Sequence, residues 1–308
     1  MRIVFMGTPE FAVPCLDICH EMGEVVMVVT QPDRPKGRGK KLTPPPVKER
    51  ALELGLEVFQ PERIKREEPT ALLESLKPDL IVVVAYGQLL STRILDIPKD
   101  GCINVHASLL PKLRGASPIN WSIVTGETHT GVTTMYMSEG LDEGDMIDRL
   151  SLEIGAKTTA GELHDSLMTL GGQVLRMTLE NIKAGNLHRT PQDSSLANHA
   201  PILKKEMGRV DWEQTSHEIS CLIRGFDPWP VAHTCYEADI MKLFSPIVEI
   251  TDSTAEPGTI LEISKSGMLL KTGDQAIRIG FIQMPNGKKM AVGDYVLGHP
   301  LALGTVLK

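Results

Sequence analysis

The 308-residue chain has the length of about two domains, and its hydrophobic fraction of 42% is sufficient for two compact cores. This composition excludes a disordered, a collagen-like and a disulfide-stabilised protein. With 32 Lys and Arg against 39 Asp and Glu, the net charge of -7 excludes a protein that binds polyanions over its whole surface, but it is compatible with a local basic patch.

The cysteines and the apolar stretches indicate the compartment. A membrane-spanning helix requires about 20 apolar residues, and every apolar stretch of this sequence is much shorter. The five cysteines are odd in number and widely scattered, which is typical of free thiols in a reducing environment: Cys15, Cys19, Cys102, Cys221 and Cys235. We therefore expect a cytoplasmic protein that does not associate with membranes.

Short apolar stretches alternate with helical patterns in the first half of the chain. Helices are predicted to begin near Phe11, Val47 and Thr70, and strands are predicted at 3–6, 25–29, 56–59, 80–85 and 102–106. Strands without polar alternation are buried on both faces, which is typical of parallel strands covered by helices. This half therefore predicts a doubly wound, mostly parallel α/β sheet. A strand pair at 132–137 and 146–152 and a helix at 160–184 follow.

The rest of the chain predicts a different architecture. After a polar connector, a helix at 214–224 precedes short strands at 232–236, 240–244, 259–263, 267–271 and 276–282. Several short strands at this spacing are typical of a small antiparallel barrel. We therefore predict an α/β domain over residues 1–188, a linker over 189–207 and a barrel domain over 208–308.

The sequence lacks the patterns of three common kinds of site. Residues 7–11 follow the first strand but do not match the G-x-G-x-x-G of dinucleotide-binding folds. Residues 37–41 run towards three prolines, which cannot continue the helix that a Walker loop opens. Cys15 and Cys19 lack further metal-ligand spacing, so buried thiols explain them better than zinc does. We expect no dinucleotide, triphosphate or metal site.

Two polar side chains lie at the end of a predicted buried strand. Asn104 and His106 have the same parity and therefore leave the strand on one face. Open α/β sheets place their active sites beyond the carboxyl ends of strands. A histidine there can carry protons near neutral pH, and an amide can donate a hydrogen bond to a developing oxyanion. A structural histidine that caps the following turn is the alternative.

An acidic loop joins the later pair of strands. In residues 139–145 two glycines flank acidic residues, and a tight loop of this kind can direct a carboxylate inward. A carboxylate close to His106 would orient the imidazole and increase its basicity. A solvated acidic turn is the alternative.

A basic segment covers residues 31–50, where seven Lys and Arg stand against Asp33 and Glu49. Its prolines and glycines predict an irregular loop that projects from the sheet. Such a loop can follow the phosphates of a nucleic acid. A solvated surface loop is the alternative.

The motifs around these residues resemble those of a known family. Asn104-Val105-His106 with Ser108-Leu109-Leu110-Pro111, and the loop 140–145, are similar to the N-x-H…S-L-L-P signature and the D-x-G-D loop of folate-dependent formyltransferases. The resemblance extends through essentially the whole chain to the methionyl-tRNA formyltransferases, including residues 5–9, 31–41, 82–87 and 226–230. The basic segment is the feature that narrows the resemblance to the enzymes that act on tRNA.

The resemblance implies an activity. A formyl group would pass from 10-formyltetrahydrofolate, the co-substrate, to the α-amine of methionine esterified to initiator tRNA. Asn104, His106 and Asp142 would be the catalytic residues. The enzyme would be a monomer and would use no metal.

The resemblance also implies binding regions. Folate would contact two loops through Tyr86, Gly87, Gln88, Leu89, Leu90, Ser108, Leu109, Leu110 and Pro111. For the leucines, ordinary core packing is the alternative. The acceptor end of tRNA would contact the basic segment through Arg34, Lys36, Arg38, Lys40 and Lys41. An oligonucleotide-binding-type barrel would add a smaller basic face from Arg209, Arg224, Lys242, Lys288 and Lys289.

Two other functions compete with this interpretation. A formyltransferase for a small amine, such as an amino-sugar nucleotide, should lack the basic segment, which this chain has. A non-enzymatic RNA-binding protein on a degenerate scaffold would tolerate the loss of His106 or Asp142, and both are present. The basic segment and the polar residues together favour the tRNA enzyme.

Overall fold

The computed structural model describes residues 1–36 and 41–308, and contacts among them form two compact units. The first unit contains residues 1–115, 130–152 and 164–199. The second contains residues 116–129, 153–163 and 200–308. Both units are therefore discontinuous in sequence, whereas the domains predicted at 1–188 and 208–308 are continuous. The linker predicted at 189–207 stays a prediction.

The helices and strands have the following bounds. Up to residue 184 the described strands are β1 Arg2–Gly7, β2 Glu24–Val29, β3 Arg34–Lys36, β4 Lys41–Thr43, β5 Val58–Phe59, β6 Leu80–Val84, β7 Cys102–His106, β8 Arg114–Gly115, β9 His129–Tyr136 and β10 Met146–Glu153. The helices are α1 Val13–Met22, α2 Pro46–Glu53, α3 Glu67–Leu76, α4 Thr92–Leu95, α5 Pro118–Val124 and α6 Ala160–Ala184. Beyond them lie β11 His199–Ala200, α7 Ser216–Gly225, β12 His233–Tyr236, β13 Asp239–Glu249, β14 Ile260–Ser264, β15 Gly267–Lys271, β16 Ala276–Gln283, β17 Met290–Ala291 and α8 Val292–Tyr295. No helix in the described residues is both long and apolar enough to cross a membrane.

One seven-stranded sheet forms the centre of the first unit, in the order β10-β9-β7-β6-β1-β2-β5. β1 pairs in parallel with β2 and β6, and β6 pairs in parallel with β7. Parallel strands are typically covered by helices on both faces of the sheet, and β6 is buried along its whole length. β9 runs antiparallel to β7. The predicted doubly wound, mostly parallel sheet is confirmed.

The two faces of β7 are covered differently. Val105 faces α6, since a Cβ atom placed on Gly171 would lie 3.7 Å from Val105 Cγ1. Cys102 belongs to the apolar core cluster on the opposite face of the sheet. Asn104 and His106 share the parity of Cys102 and continue that face towards the end of the strand.

The expectation that residues 31–50 lack regular structure is wrong. Arg34–Lys36 and Lys41–Thr43 pair as the antiparallel strands β3 and β4. Proline is tolerated there because both strands of a two-stranded sheet are edge strands. Pro46 occupies the first turn of α2, where the missing N–H has no helical partner to lose.

An antiparallel sheet in the order β12-β13-β16-β15-β14 forms the core of the second unit, with β17 paired to β16. The last residues of the chain join its two outer strands. Cys235 of β12 exchanges backbone hydrogen bonds with Lys308, at 2.6 and 3.2 Å. Ile260 of β14 donates to Thr305 O at 2.9 Å and accepts from the Gly304 N–H at 2.9 Å. Residues 304–308 thus close the sheet, which removes its open edges and confirms the predicted small barrel.

One basic residue expected on the barrel surface lies inside the unit. Arg224 is 7% exposed, and its guanidinium donates to Thr158 O at 3.0 Å and to Cys221 Sγ at 3.3 Å. The prediction that Arg224 contributes to an exposed basic face is therefore wrong, because the end of α7 that carries Arg224 packs inward.

The closing segment gives a prediction on stability. Leu307 is 2% exposed in the barrel core. We expect Leu307→Ala to lower the free energy of unfolding by about 2–5 kcal/mol, measured by urea denaturation, because it leaves a cavity. Leu303→Ala is the matched control: Leu303 is 65% exposed, and the expected change is within about 0.5 kcal/mol. Equal effects of the two substitutions would contradict the role of the closing segment.

Candidate active site

The candidate site lies on the face of β7 that α6 does not cover. β9 ends beside the start of β7, since Tyr136 pairs with Ile103 and the Met137 N–H donates to Cys102 O at 2.8 Å. The acidic loop therefore leaves the sheet at the amino end of β7 and turns back across the strand. The site lies over the face of β7, and not only beyond its carboxyl end.

Asp142 in this loop brings the predicted polar residues together. Its Oδ2 lies 3.6 Å from His106 Nδ1, and its Oδ1 lies 3.5 Å from Asn104 Nδ2. Oδ2 also accepts a hydrogen bond from the Gly115 N–H at 2.8 Å. The side chains of His106 and Asp142 are 6% and 13% exposed. A shielded carboxylate this close to an imidazole can exchange a proton with it.

The backbone of the loop explains how Asp142 reaches β7. Asp142 has a φ of 53°, a left-handed conformation that aspartate tolerates better than most residues do. A Cβ atom on Gly144 would collide with the carbonyl of Tyr136. Only glycine therefore permits the loop to pass this close to the end of β9.

The hydrogen bond of His106 to Leu113 determines where one ring proton lies. His106 Nε2 is 3.0 Å from Leu113 O. Because a carbonyl only accepts, Nε2 carries a hydrogen. Nδ1, which faces Asp142, is then the nitrogen that can gain or lose a proton. Leu113 is itself held, since its N–H donates to Asn198 Oδ1 at 2.5 Å.

The turn after β7 is held by the side chain of Ser108 and by that of Thr133 in β9. Ser108 Oγ donates to Lys112 O at 2.7 Å. Thr133 Oγ1 donates to Ser108 O at 2.7 Å and accepts from the Leu110 N–H at 3.2 Å. The side chains of Ser108 and Leu110 are buried, whereas Leu109 and Pro111 are partly exposed. Of the residues predicted here to bind folate, two thus serve the turn and two have accessible surface.

The loop after β6 places its predicted folate residues in different environments. The side chain of Tyr86 lies in the apolar core, where burial raises the pKa of its hydroxyl. Gly87 has a φ of 90°. Leu89 is 70% exposed, and Leu90 packs partly buried against the core. Gln88 bonds to the backbone of residues 61–64. Leu89 is therefore the side chain most open to a ligand.

The basic segment is described only in part, since Arg38 and Lys40 lie outside the described residues. Arg34 is exposed, 3.9 Å from the carboxylate of Glu62. Lys36 and Lys41 are opposite each other in the β3–β4 register. These strands pair residues 34–36 of the segment with residues 41–43.

Lys48 of the basic segment is engaged within the fold. Its Nζ lies 2.8 Å from Asp33 Oδ2, and it also donates to Gln60 Oε1 at 2.8 Å. The hydrogen bond from Lys48, followed by one from Gln60, lowers the pKa of Asp33. This cation supports the base of the segment, so it does not add to its exposed charge.

Gln192 is a residue of the site that the sequence does not single out. Its Nε2 donates to the carbonyls of Asp142 and Gly144, both at 2.8 Å, and its Oε1 accepts from Arg114 Nε at 3.0 Å. Arg114 is 3% exposed, and its Nη1 lies 3.5 Å from Glu143. Gln192 and Arg114 thus fix the acidic loop. A single polar residue in a polar connector carried no signal of this role.

Comparisons with known proteins show the family of this chain. The formyl transferase family matches residues 1–179, and the formyl transferase C-terminal domain matches residues 202–300. The methionyl-tRNA formyltransferase of Alkaliphilus oremlandii is 51% identical over 308 residues, which cover 100% of this chain and 99% of the relative. That of Clostridioides difficile is also 51% identical and covers 100% of both chains. The chain belongs to the methionyl-tRNA formyltransferase family.

Solved structures share the fold of this formyltransferase. WlaRD, a sugar 3N-formyl transferase solved with dTDP and 5-N-formyl-THF, has a TM-score of 0.69 at 17% identity, over 94% of this chain and 99% of its own. HypX from Aquifex aeolicus in complex with tetrahydrofolic acid has a TM-score of 0.61 at 20% identity. The match covers 96% of this chain but 47% of HypX, so the formyltransferase spans about half the length of that protein.

No metal cluster accompanies the site. In residues 1–36 and 41–308, no three His, Cys, Asp or Glu side chains are grouped as a metal ion would require.

The contacts of Gln192 give a prediction on catalysis. In Gln192→Glu the carboxylate still accepts from Arg114 but has no N–H for the carbonyls of Asp142 and Gly144. We expect kcat of formyl transfer to fall by about 10- to 100-fold, because a small displacement of Asp142 is costly, while KM for the formyl donor changes by less than about twofold. Steady-state kinetics at saturating acceptor provide the measurement.

The control is Gln173→Glu, at an exposed position of α6, which should retain the wild-type kcat. An unchanged kcat in Gln192→Glu, or a loss confined to KM, would contradict the positioning role of Gln192.

Proposed function

We propose that the protein transfers the formyl group of 10-formyltetrahydrofolate to the α-amine of initiator methionyl-tRNA, as a cytoplasmic monomer that uses no metal. The observation that carries the proposal is the convergence of Asn104, His106 and Asp142 on one face of β7. The same chain is 51% identical, over its full length, to two relatives named methionyl-tRNA formyltransferase. The reaction needs donors for an oxyanion and a nearby proton acceptor, and these residues supply both.

The transfer proceeds through a tetrahedral intermediate. The neutral amine attacks the formyl carbon, a C–N bond forms, and the formyl oxygen gains negative charge. Asn104 Nδ2–H and the Nδ1–H of protonated His106 donate to that oxygen, and a donor of this kind is worth about 3 kcal/mol. The intermediate collapses when the bond from the formyl carbon to N10 of the folate breaks. The amine loses one proton and N10 gains one, so the transfer is balanced.

Asp142 and Nδ1 of His106 move these protons. Asp142 accepts the proton of the amine, directly or through water, and His106 returns one to N10. The 3.6 Å separation of Nδ1 and Oδ2 is longer than a hydrogen bond but short enough for exchange on a small closure of the loop. The bond from Nε2 to Leu113 O, at 3.0 Å, supports Leu113 as the group that orients the ring.

The substrates are proposed to bind on either side of these residues. Folate lies between residues 85–90 and the turn 108–111, where the accessible surfaces of Leu89, Leu109 and Pro111 suit a flat pterin. Tyr86, Gly87, Gln88 and Leu90, together with Ser108 and Leu110, contribute by shaping these two loops. The acceptor end of tRNA contacts Arg34, Lys36, Arg38, Lys40 and Lys41 through its phosphates.

Formyl transfer to an amino-sugar nucleotide is the second candidate. The sugar 3N-formyl transferase shares the fold over 94% of this chain, which favours it. The Lys and Arg of residues 31–50 oppose it, since five of the seven remain when Lys48 and Arg50, which pair with acidic residues of the fold, are left out. A nucleotide presents far fewer phosphates for them than an acceptor stem does.

An acceptor assay with the purified protein and 10-formyltetrahydrofolate separates the two candidates. We expect kcat/KM for initiator methionyl-tRNA to exceed that for a dTDP-amino sugar by about 1000-fold or more, because polar contacts of a specific site reject the wrong acceptor. Uncharged initiator tRNA, which lacks the amine, is the control and should give no product. Faster transfer to the amino sugar would assign the protein to the second candidate.

His106→Ala tests the catalytic role of the imidazole. We expect kcat to fall by about 100- to 10,000-fold, because a general acid-base group and an oxyanion donor are both lost. KM for both substrates should change little. His20→Ala, at an exposed position of α1, is the control and should retain full activity. A loss of binding with unchanged kcat would show that His106 has no part in the chemical step.

A further inference from the structure

A cavity of about 520 Å³ lies beside the loop that follows β6. Gln88 and Leu89 of that loop line it, together with Arg63, Lys65 and Arg66 from the segment before α3. The lining contains no carboxylate among the residues that are described. In a protein of net charge -7 this is a local concentration of positive charge. Since Leu89 is also proposed to contact folate, the cavity adjoins the proposed folate site.

Gln88 holds the cationic segment against the loop. Its Oε1 accepts from the Ile64 N–H at 2.8 Å, and its Nε2 donates to Pro61 O at 3.1 Å. The side chain of Ile64 is fully buried in the apolar core of the sheet. Arg63 and Lys65 therefore flank a fixed residue, and their backbone keeps a set distance from the proposed folate site.

The three cationic side chains are available to a ligand. Within residues 1–36 and 41–308, the side chains of Arg63, Lys65 and Arg66 take part in no hydrogen bond or ion pair. Arg66 is also the N-cap residue of α3, and no side chain caps this end of the helix. The partial positive charge of the helix terminus adds to that of the side chains.

The neighbouring carboxylates have partners elsewhere or do not line the cavity. Glu62 lies 3.9 Å from Arg34, and Glu67 lies 2.7 Å from Arg93. Glu68, in the first turn of α3, is exposed and outside the lining. The charge of the cavity is therefore not neutralised by the fold.

We propose that this cavity binds the glutamate chain of the folate co-substrate, and that Arg63, Lys65 and Arg66 make the enzyme prefer donors with several γ-linked glutamates. The inference rests on the proposed function, because it extends the folate site. A folate carries a p-aminobenzoyl-glutamate arm on the side away from its pterin ring, and each further γ-linked glutamate adds one α-carboxylate. Cations spaced along a cavity match such a chain, and guanidinium groups bind carboxylates in a bidentate manner.

An RNA backbone is the other polyanion that this charge would attract, and the arrangement favours the glutamate chain. Glu62 precedes the cationic residues, and Glu67 and Glu68 follow them. A strand of RNA that crossed this surface would pass over these carboxylates, at a cost in repulsion. A flexible chain that enters the cavity from the folate site meets Leu89 and the cations without crossing them.

Equilibrium binding of 5-formyltetrahydrofolate with one or with five glutamates tests the proposal. The variant combines Arg63→Gln, Lys65→Gln and Arg66→Gln. The matched control combines Lys77→Gln, Lys99→Gln and Lys183→Gln, which remove the same charge from exposed positions outside the cavity. Calorimetry of the wild type and the control should show the pentaglutamate bound about tenfold more tightly than the monoglutamate, as expected for several exposed ion pairs.

In the cavity variant this preference should be lost, while the affinity for the monoglutamate stays within about twofold of the wild-type value. Retained monoglutamate binding also shows that the variant is folded. If the triple variant does not fold, Lys65→Gln decides alone: a preference reduced by about twofold supports the proposal, and an unchanged preference overturns it.

Other results would overturn the proposal as well. These are equal affinity of the wild type for the two folates, and a triple variant that keeps the preference. A third such result is a cavity variant with a raised KM for methionyl-tRNA and an unchanged preference between the two folates. That result would assign the cavity to RNA. Because the calorimetry contains no acceptor, failure of the proposed function would appear in the acceptor assay and leave this measurement intact.

Discussion

The antiparallel pairing of β9 with β7 determines the geometry of the site. In this register Thr133 lies opposite His106, where its hydroxyl bonds to both ends of the turn from Ser108 to Leu110. The same pairing ends β9 beside the start of β7, so that the acidic loop crosses Asn104 and His106. A parallel strand here would have required a crossover connection, usually a helix, over one face of the sheet. The reversal of one strand thus replaces a covering helix by a loop that carries Asp142.

Much of the fold could be predicted from the sequence, because burial on both faces leaves long apolar stretches such as β6. Helix α6 was predictable for a similar reason, since its apolar positions follow the helical period over 25 residues. The strands β3 and β4 were missed because proline and glycine signal irregular structure in isolation. A two-stranded sheet tolerates proline, since each of its strands has an unpaired edge where no N–H is required.

The candidate site was predictable only in part. Parity alone assigned Asn104 and His106 to one face. The approach of Asp142 depends instead on its left-handed backbone and on the close passage of Gly144 by Tyr136, which are tertiary features. The charge of the acidic loop also depends on tertiary structure. A loop that carries several carboxylates needs a nearby cation, and Arg114 supplies it from an almost fully buried position that no local pattern reveals.

Residues 192–198 hold the backbone on both sides of the pair formed by His106 and Asp142. Gln192 holds the carbonyl of Asp142, and Asn198 holds the backbone N–H of Leu113, whose carbonyl accepts from His106. A displacement of this short segment would therefore shift both the carboxylate and the imidazole. Neither Gln192 nor Asn198 needs to touch a substrate for this to occur. A segment with the composition of a linker can in this way set the distance between Nδ1 and Oδ2.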